Sequence, residues 1–252
     1  HKLGADSAQA ERAGYLCKAD LLTDMVNEFP ELQGIMGQYY AHHDGEPEAV
    51  AQAIAAHYHP RFSGDSLPAD NIGAACALAD KLDTLVGIFG IGLAPTGEKD
   101  PFGLRRHALG VLRLLSEKAL PLDLVQLLQL AQSQYPSEVL ADSVAVDVHG
   151  FMLERLKNYL QGYRPDEIDA VVSQNPTRID LVAPRLLAVQ AFKKLPEAEA
   201  LASANKRIQN ILRKTAIPEA APDLSLMEEP AERALFAATA HLSPAVTSLL
   251  NS

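Results

Sequence analysis

Aspartate and histidine side chains are concentrated within residues 1–100 of the chain. Together, carboxylate and imidazole groups can bind a divalent metal that activates water. Asp80 and Asp83 lie one turn apart on a predicted helix, so their carboxylates can approach each other. A metal site is one interpretation of this pair. The other is two carboxylates on a helix surface, because like charges at this spacing cost only about 0.2–0.5 kcal/mol and need no metal. The remaining candidates are His1, Asp24, His42, His43, Asp44, His57 and His59.

A second group of candidate residues is basic and surrounds the start of the next predicted helix, for which Asp100 is the expected N-cap and Pro101 the first residue. Guanidinium groups bind phosphates bidentately, so this group can contact RNA. The alternative is ion pairing with acidic helices of the same domain, and the sequence leaves both open. The group consists of Lys99, Arg105, Arg106 and Arg113.

A third group lies on the predicted helix LASANKRIQNILRK at 201–214, with a basic face that comprises Lys206, Arg207, Arg213 and Lys214. The opposite stripe, expected to be buried, is apolar and consists of Leu201, Ala204, Ile208 and Ile211. Residues 193–214 contain six Lys or Arg against two Glu, whereas the whole chain has a net charge of −10. Such an acidic chain is not a generic nucleic-acid binder, so any RNA contact must come from a local basic surface.

The elements that position these residues are predicted to be helices throughout, because no alternating strand pattern or hairpin signal occurs. The predicted helices include 6–28, a helix that ends at His59-Pro60 with His57 as a favourable C-terminal cation, one from Pro121 and one over 137–159. Leu78, Leu82 and Leu85 give the helix before Gly87 an apolar stripe. A chain of 252 residues forms one large domain or two ordinary ones, and 162–165 is the first expected boundary.

Several protein classes are excluded by what the sequence lacks. No apolar run reaches the roughly 18 residues that span a bilayer, and no secretory leader is evident. Two cysteines, Cys17 and Cys76, form no disulfide framework, which suits the reducing cytoplasm. There is no phosphate-binding glycine loop and no Gly-x-Ser-x-Gly nucleophile motif. These absences predict a cytoplasmic chain without a catalytic site of its own. Because the chain does not begin with Met, we expect it to be a fragment of a longer protein.

Long stretches of the sequence resemble the beta subunit of bacterial heterotetrameric glycyl-tRNA synthetase. They are ADKLDTLVGIFGIG followed by PTGEKDPFGLRR, KADLLTDMVNEFPELQGIMGQYYA at 18–41, HYHPRFSGDSLP at 57–68 and LASANKRIQNIL at 201–212. The resemblance implies a function in attaching glycine to its tRNA within an alpha2–beta2 complex. It also implies that the alpha subunit uses ATP and Mg²⁺, while this chain recognises tRNA, needs no cofactor, and has no membrane or DNA partner.

The same resemblance implies a domain organisation. Residues 1–165 would form an HD-like helical domain, named after metal-dependent phosphohydrolases, and 166–252 a helical linker with the start of an anticodon-binding domain shared with arginyl-tRNA synthetase. The positions that match the HD metal site are His1, Thr23, Asp24 and Asp80. Thr23 stands where the HD pattern has an imidazole, and a threonine does not replace it as a metal ligand at neutral pH. A metal-dependent phosphohydrolase and a non-catalytic helical scaffold are the alternative functions.

Overall fold

α-Helices are the main regular secondary structure of the computed structural model, which describes residues 2–136, 138–213 and 224–251. Within these ranges the β-type pairings are two isolated bridges, Thr96 with Lys99 and Asp123 with Arg178, and no strand forms. The all-α fold expected from the sequence is confirmed. The chain divides into two compact units, His1–Leu195 and Pro196–Ser252.

The first unit contains ten of the described helices. In order they are α1 (Ser7–Leu16), α2 (Asp24–Glu28), α3 (Ile35–His43), α4 (Glu48–Ala56), α5 (Asn71–Gly90), α6 (Leu104–Glu117), α7 (Leu124–Gln132), α8 (Val144–Tyr159), α9 (Pro165–Val172) and α10 (Val182–Phe192). Short 3₁₀ turns at Ala19–Leu22, Pro30–Leu32 and Ile179–Leu181 connect them.

Helix α5 lies at the centre of the first unit and packs against α1, α4, α6, α7 and α8. Its start is capped by Asp70, whose carboxylate accepts a hydrogen bond from the backbone N–H of Gly73 at 2.7 Å. The predicted stripe of Leu78, Leu82 and Leu85 is buried, which confirms the interpretation of the pattern. Each such side chain contributes roughly 1.5–3 kcal/mol of transfer free energy, so α5 holds the surrounding helices together.

The predicted helix over 6–28 is wrong, because the chain is interrupted after α1. Asp20, in the 3₁₀ turn, is buried, and its Oδ2 accepts hydrogen bonds from the backbone N–H groups of Gly34 at 2.7 Å and Gly37 at 3.1 Å. Thr23 then begins α2, with its Oγ1 accepting from the N–H of Val26. A continuous helix would lose these caps, so tertiary capping outweighs the local helical pattern.

Helices α6, α7 and α8 begin later in the chain than the sequence predicts. For α6 and α7 an aspartate side chain bonds to the first turn. Asp100 precedes α6 by several residues, yet its carboxylate accepts a hydrogen bond at 2.8 Å from the N–H of Leu104, the first residue of the helix. Pro101, the predicted first residue, lies in a turn. Asp123 caps α7 by accepting from the N–H of Gln126 at 2.9 Å. Helix α8 begins at Val144, and Ser137, its predicted start, lies outside the described residues.

The core of the first unit continues past 162–165, where the sequence suggests a boundary. Ile168 and Val172 of α9 and Leu186 of α10 are buried in the same apolar cluster as α5 and α6. Helices α9 and α10 also pack against each other. The division between compact units therefore falls after Leu195.

The second unit contains two described helices, α11 (Ala198–Leu212) and α12 (Pro230–Asn251). Helix α11 forms as predicted, but the expected burial of its apolar stripe is wrong. Leu201, Ile208 and Ile211 are 55%, 51% and 56% exposed, and Ala204 is exposed as well. Across the part of the chain that the structure describes, no helix is both long and apolar enough to span a membrane.

Candidate functional site

The basic residues at the start of α6 differ in how freely they face solvent. Lys99 is exposed beside the tight turn that its own backbone closes with Thr96. Arg105 is half-buried, and its guanidinium donates to the carbonyl oxygen of Gly97. Arg106 is exposed and forms no ion pair with any described residue. Of these, Lys99 and Arg106 keep their charge available for an external anion.

Arg113, a member of the same candidate group, is buried, with 8% of its surface exposed. Its Nε and Nη2 donate to the two carboxylate oxygens of Glu117 at 2.6 and 3.2 Å, and Nη1 donates to the carbonyl of Phe62 at 3.4 Å. The hydrogen bond to Glu117 raises the pKa of Arg113, and the same bond lowers the pKa of Glu117. For Arg113 the geometry favours the alternative of ion pairing within the domain.

A continuous basic surface is found on α11. Lys206, Arg207 and Asn210 are exposed and line a shallow depression together with Ser203. Arg213, the C-cap residue of the helix, is exposed as well. Within the described residues none of these cations has an ion-pair partner, so the charge faces solvent. Lys214, predicted to widen this surface, lies outside the described residues.

The described positions that match the HD pattern have different local roles. His1 lies outside the described residues, Asp24 is an exposed first-turn residue of α2, and Thr23 is its N-cap. Asp80 is instead ion-paired with Lys18, with Asp80 Oδ1 and Lys18 Nζ 2.5 Å apart. Asp20, which the sequence pattern did not single out, is one of two buried carboxylates among the described residues, and Glu167 is the other.

The pair Asp80 and Asp83 is divided between different partners. Asp83 accepts a hydrogen bond from the hydroxyl of Tyr135 at 2.8 Å, and Asp80 binds Lys18. Among the residues that the structure describes, no three His, Cys, Asp or Glu side chains are grouped to hold a metal ion. Because Asp80 and Asp83 each have a partner within the chain, the surface-carboxylate interpretation suits the pair.

A polar pocket of about 450 Å³ opens beside Asp80 and contains functional candidates that the sequence reasoning missed. The most unusual is Lys81, which is 3% exposed and whose Nζ donates to the carbonyl oxygens of His57 at 3.1 Å and Tyr58 at 3.3 Å. Burial lowers the pKa of Lys81 to about 8. The sequence contains one indication that Lys81 is buried. Its position lies between Leu78 and Leu85 on the apolar stripe of α5.

The buried lysine also corrects the expected role of His57. His57 is fully buried, its Nδ1 lies 2.6 Å from the carbonyl oxygen of Ile54, and burial lowers its pKa. A histidine in this setting favours the neutral form, so it is not the cation at the end of α4. Lys81 takes that place, because it donates to carbonyl groups at the C-terminal end of the helix.

Comparison with known proteins gives one consistent family. A family model described as "Glycyl-tRNA synthetase beta subunit" matches residues 1–173. A glycine–tRNA ligase beta subunit from Aromatoleum aromaticum is 57% identical over 250 residues, covering 98% of this chain and 36% of that protein. One from Ralstonia nicotianae is 56% identical over 247 residues, covering 97% of this chain and 35% of that protein.

A third relative shows the same partial overlap. A glycine–tRNA ligase beta subunit from Neisseria meningitidis serogroup B is 52% identical over 247 residues, covering 98% of this chain and 36% of that protein. The chain thus spans about a third of the length of the curated relatives it matches. These relatives match along both compact units, α11 included.

Proposed function

Since the chain belongs to the glycyl-tRNA synthetase beta-subunit family, we propose that it is the tRNA-recognising part of a glycine–tRNA ligase beta subunit. The observation that carries the proposal is the exposed basic surface of α11 in a chain whose net charge is −10. In so acidic a protein, a phosphate backbone is attracted to local concentrations of lysine and arginine. The role of the chain is binding and positioning of tRNA.

The division of labour within the complete enzyme follows from the same proposal. The partner is a glycyl-tRNA synthetase alpha subunit, which binds ATP and Mg²⁺ and performs the glycylation, while this chain holds glycine tRNA. Residues 1–165 correspond to an HD-like domain, and 166–252 to a linker and the start of an anticodon-binding domain. A cytoplasmic location accompanies this function. A metal-dependent phosphohydrolase is not favoured, because Thr23 caps α2 where the HD pattern has an imidazole, and Asp80 is bound to Lys18.

We assign the RNA contact to a main surface and a secondary surface, which differ in how many exposed cations they present. The main surface comprises Lys206, Arg207 and Arg213 of α11, whose charges face solvent, with Lys214 next in sequence. The secondary surface is Lys99 and Arg106 near the start of α6; Arg105 contributes less because its guanidinium is bonded to Gly97. Arg113 is left out of both, since Glu117 occupies its guanidinium.

The proposal is tested by reversing two charges of the main surface. In the complete beta subunit assembled with its alpha chain, Lys206→Glu with Arg213→Glu should weaken binding of glycine tRNA. Each phosphate that is no longer neutralised should also reduce the slope of log affinity against log salt by about 0.7–0.9, so the double variant should flatten it by roughly 1.4–1.8. Helix content should stay unchanged, because both side chains are exposed.

The matched control is Arg185→Glu, an exposed arginine on α10 outside both surfaces. It should leave affinity and salt slope as in the parent. If the double variant binds tRNA with the parent's affinity and slope, the basic surface of α11 is a solvated helix face. The secondary surface would then be tested in the same way, with charge reversals at Lys99 and Arg106. If these also leave tRNA affinity and salt slope unchanged, the non-catalytic scaffold is the better description of the chain.

A further inference from the structure

The polar pocket beside Asp80 has the volume of a small-molecule site. It lies within the first unit and has a volume of about 450 Å³, inside the range of about 300–1,000 Å³ that is typical of ligand pockets. Its walls come from the 3₁₀ turn after α1, the loop after the second 3₁₀ turn, the end of α4, and helices α5 and α6. The lining residues used below are Lys18, Tyr58, Arg61, Asp80, Lys81, Arg106 and His107.

The charge of the pocket is opposite to that of the chain. Its described lining contains four cations against one carboxylate, an excess of three positive charges in a chain whose net charge is −10; the cations are Lys18, Arg61, Lys81 and Arg106. Asp80 is already bound to Lys18 at 2.5 Å, which leaves the other three without a carboxylate in the pocket. His107 is not counted among the cations, because burial and the nearby Lys81 lower its pKa.

The pocket also holds hydrogen-bonding groups that the described chain does not satisfy. Arg61 is fixed by a 3.1 Å bond from Nη2 to the carbonyl of Gln33 and by its position 5.4 Å above the ring of Tyr58, yet its buried Nε has no acceptor. The buried Nδ1 of His107 is likewise without a partner. Nδ1 of His107 donates in one of the two neutral tautomers, whereas Nε of Arg61 is always a donor. Buried polar groups are normally paired, so an unpaired guanidinium N–H in a cationic pocket indicates an anionic ligand with acceptor oxygens.

From this arrangement we propose that the pocket binds a diphosphate group, either as inorganic pyrophosphate or as part of a nucleoside diphosphate. A single phosphate monoester carries about −1.5 to −2 charges, so two linked phosphates match the excess of positive charge better. Arg61, Lys81 and Arg106 would hold the oxygens, and Lys18 would join them when its bond to Asp80 loosens. This role goes beyond tRNA recognition and shares only Arg106 with the secondary tRNA surface.

The proposal predicts opposite effects for substitutions at neighbouring positions. In calorimetric titration of the full chain with pyrophosphate in the presence of EDTA, Arg106→Met and Lys18→Met should each weaken binding about tenfold. Asp80→Asn should strengthen it severalfold, because it removes the repelling carboxylate and frees Lys18. Arg185→Met, an exposed arginine outside the pocket, should leave the affinity unchanged. A metal-bridged site would instead be abolished both by EDTA and by Asp80→Asn.

A second titration, with ADP, distinguishes the two sources of the diphosphate. Tighter binding of ADP than of pyrophosphate assigns a nucleotide, and equal or weaker binding assigns the inorganic ion. The proposal is overturned if millimolar pyrophosphate and ADP both fail to bind the parent chain. It is equally overturned if Arg106→Met binds like Arg185→Met, or if Asp80→Asn weakens binding. Circular dichroism of each variant verifies that the fold is retained, which is expected for Arg106 and Lys18 because both are exposed.

Discussion

The buried carboxylate of Asp20 is predicted to hold the start of α3 in place, and its removal gives the sharpest test of the fold. Asp20 is 2% exposed, and its Oδ2 accepts from the N–H groups of Gly34 at 2.7 Å and Gly37 at 3.1 Å. In Asp20→Ala both N–H groups lose their acceptor. An unmade buried hydrogen bond costs about 1–3 kcal/mol, and loss of a negative charge at a helix N-terminus costs about 0.3–1 kcal/mol. With two such bonds lost, we expect a loss of about 2–7 kcal/mol in the free energy of unfolding.

A second substitution separates the hydrogen bonds from the charge. Asp20→Asn keeps an oxygen that can accept from both N–H groups but removes the negative charge. Because hydrogen bonds to a charged acceptor are roughly twice as strong as neutral ones, the expected loss is smaller, about 1–2 kcal/mol. The matched control is Asp24→Ala, since Asp24 is exposed in the first turn of α2. There we expect less than about 1 kcal/mol.

The assay is urea unfolding followed by tyrosine fluorescence. All seven tyrosines of the chain, from Tyr15 to Tyr163, belong to the first unit, and no tryptophan is present, so the signal reports the unit that contains Asp20. The midpoint should decrease in the order Asp24→Ala, Asp20→Asn, Asp20→Ala, with a similar slope m for all three. Equal stability of Asp20→Ala and Asp24→Ala would refute the capping role of the buried carboxylate.

Two further predictions concern the surroundings of the pocket. Gly110→Ala should destabilise the first unit by about 1–3 kcal/mol, because its Cβ would lie 2.8 Å from Cε of the buried Lys81. Gly150→Ala on α8, where nothing lies within 4 Å, is the control and should be neutral or up to about 1 kcal/mol more stable in the same unfolding assay. Elemental analysis of the purified chain should find no stoichiometric Fe, Mn or Zn, because Thr23 replaces an imidazole and Lys18 pairs with Asp80. A metal-to-protein ratio near one that Asp80→Ala abolishes would contradict this.

The sequence by itself determined the features that depend on local periodicity. The apolar stripe of Leu78, Leu82 and Leu85 predicts a buried helix, and α5 is that helix. The amphipathic pattern of 201–214 likewise predicts α11, although the structure leaves its apolar side exposed. Periodicity states which residues share a face and not what covers that face. Long shared stretches identified the family in advance, because they span several helices and loops.

Only the tertiary structure decided which charged residues are buried and with whom they pair. Lys81 and Arg113 both lie on helices with a clear apolar stripe, and a charged residue there can either point to solvent or reach a partner inside. For Lys81 the partners are the carbonyls of His57 and Tyr58, more than twenty residues earlier in the chain.

The same reason explains why Asp20, and not Asp24, became the buried carboxylate. Both precede short apolar segments, but only Asp20 meets two N–H groups at the start of α3 that need an acceptor. A buried charge is stable only with such partners, and partners distant in sequence are set by how the helices pack. Helix periodicity carries no information about that packing, so the pocket beside Asp80 could be found only in three dimensions.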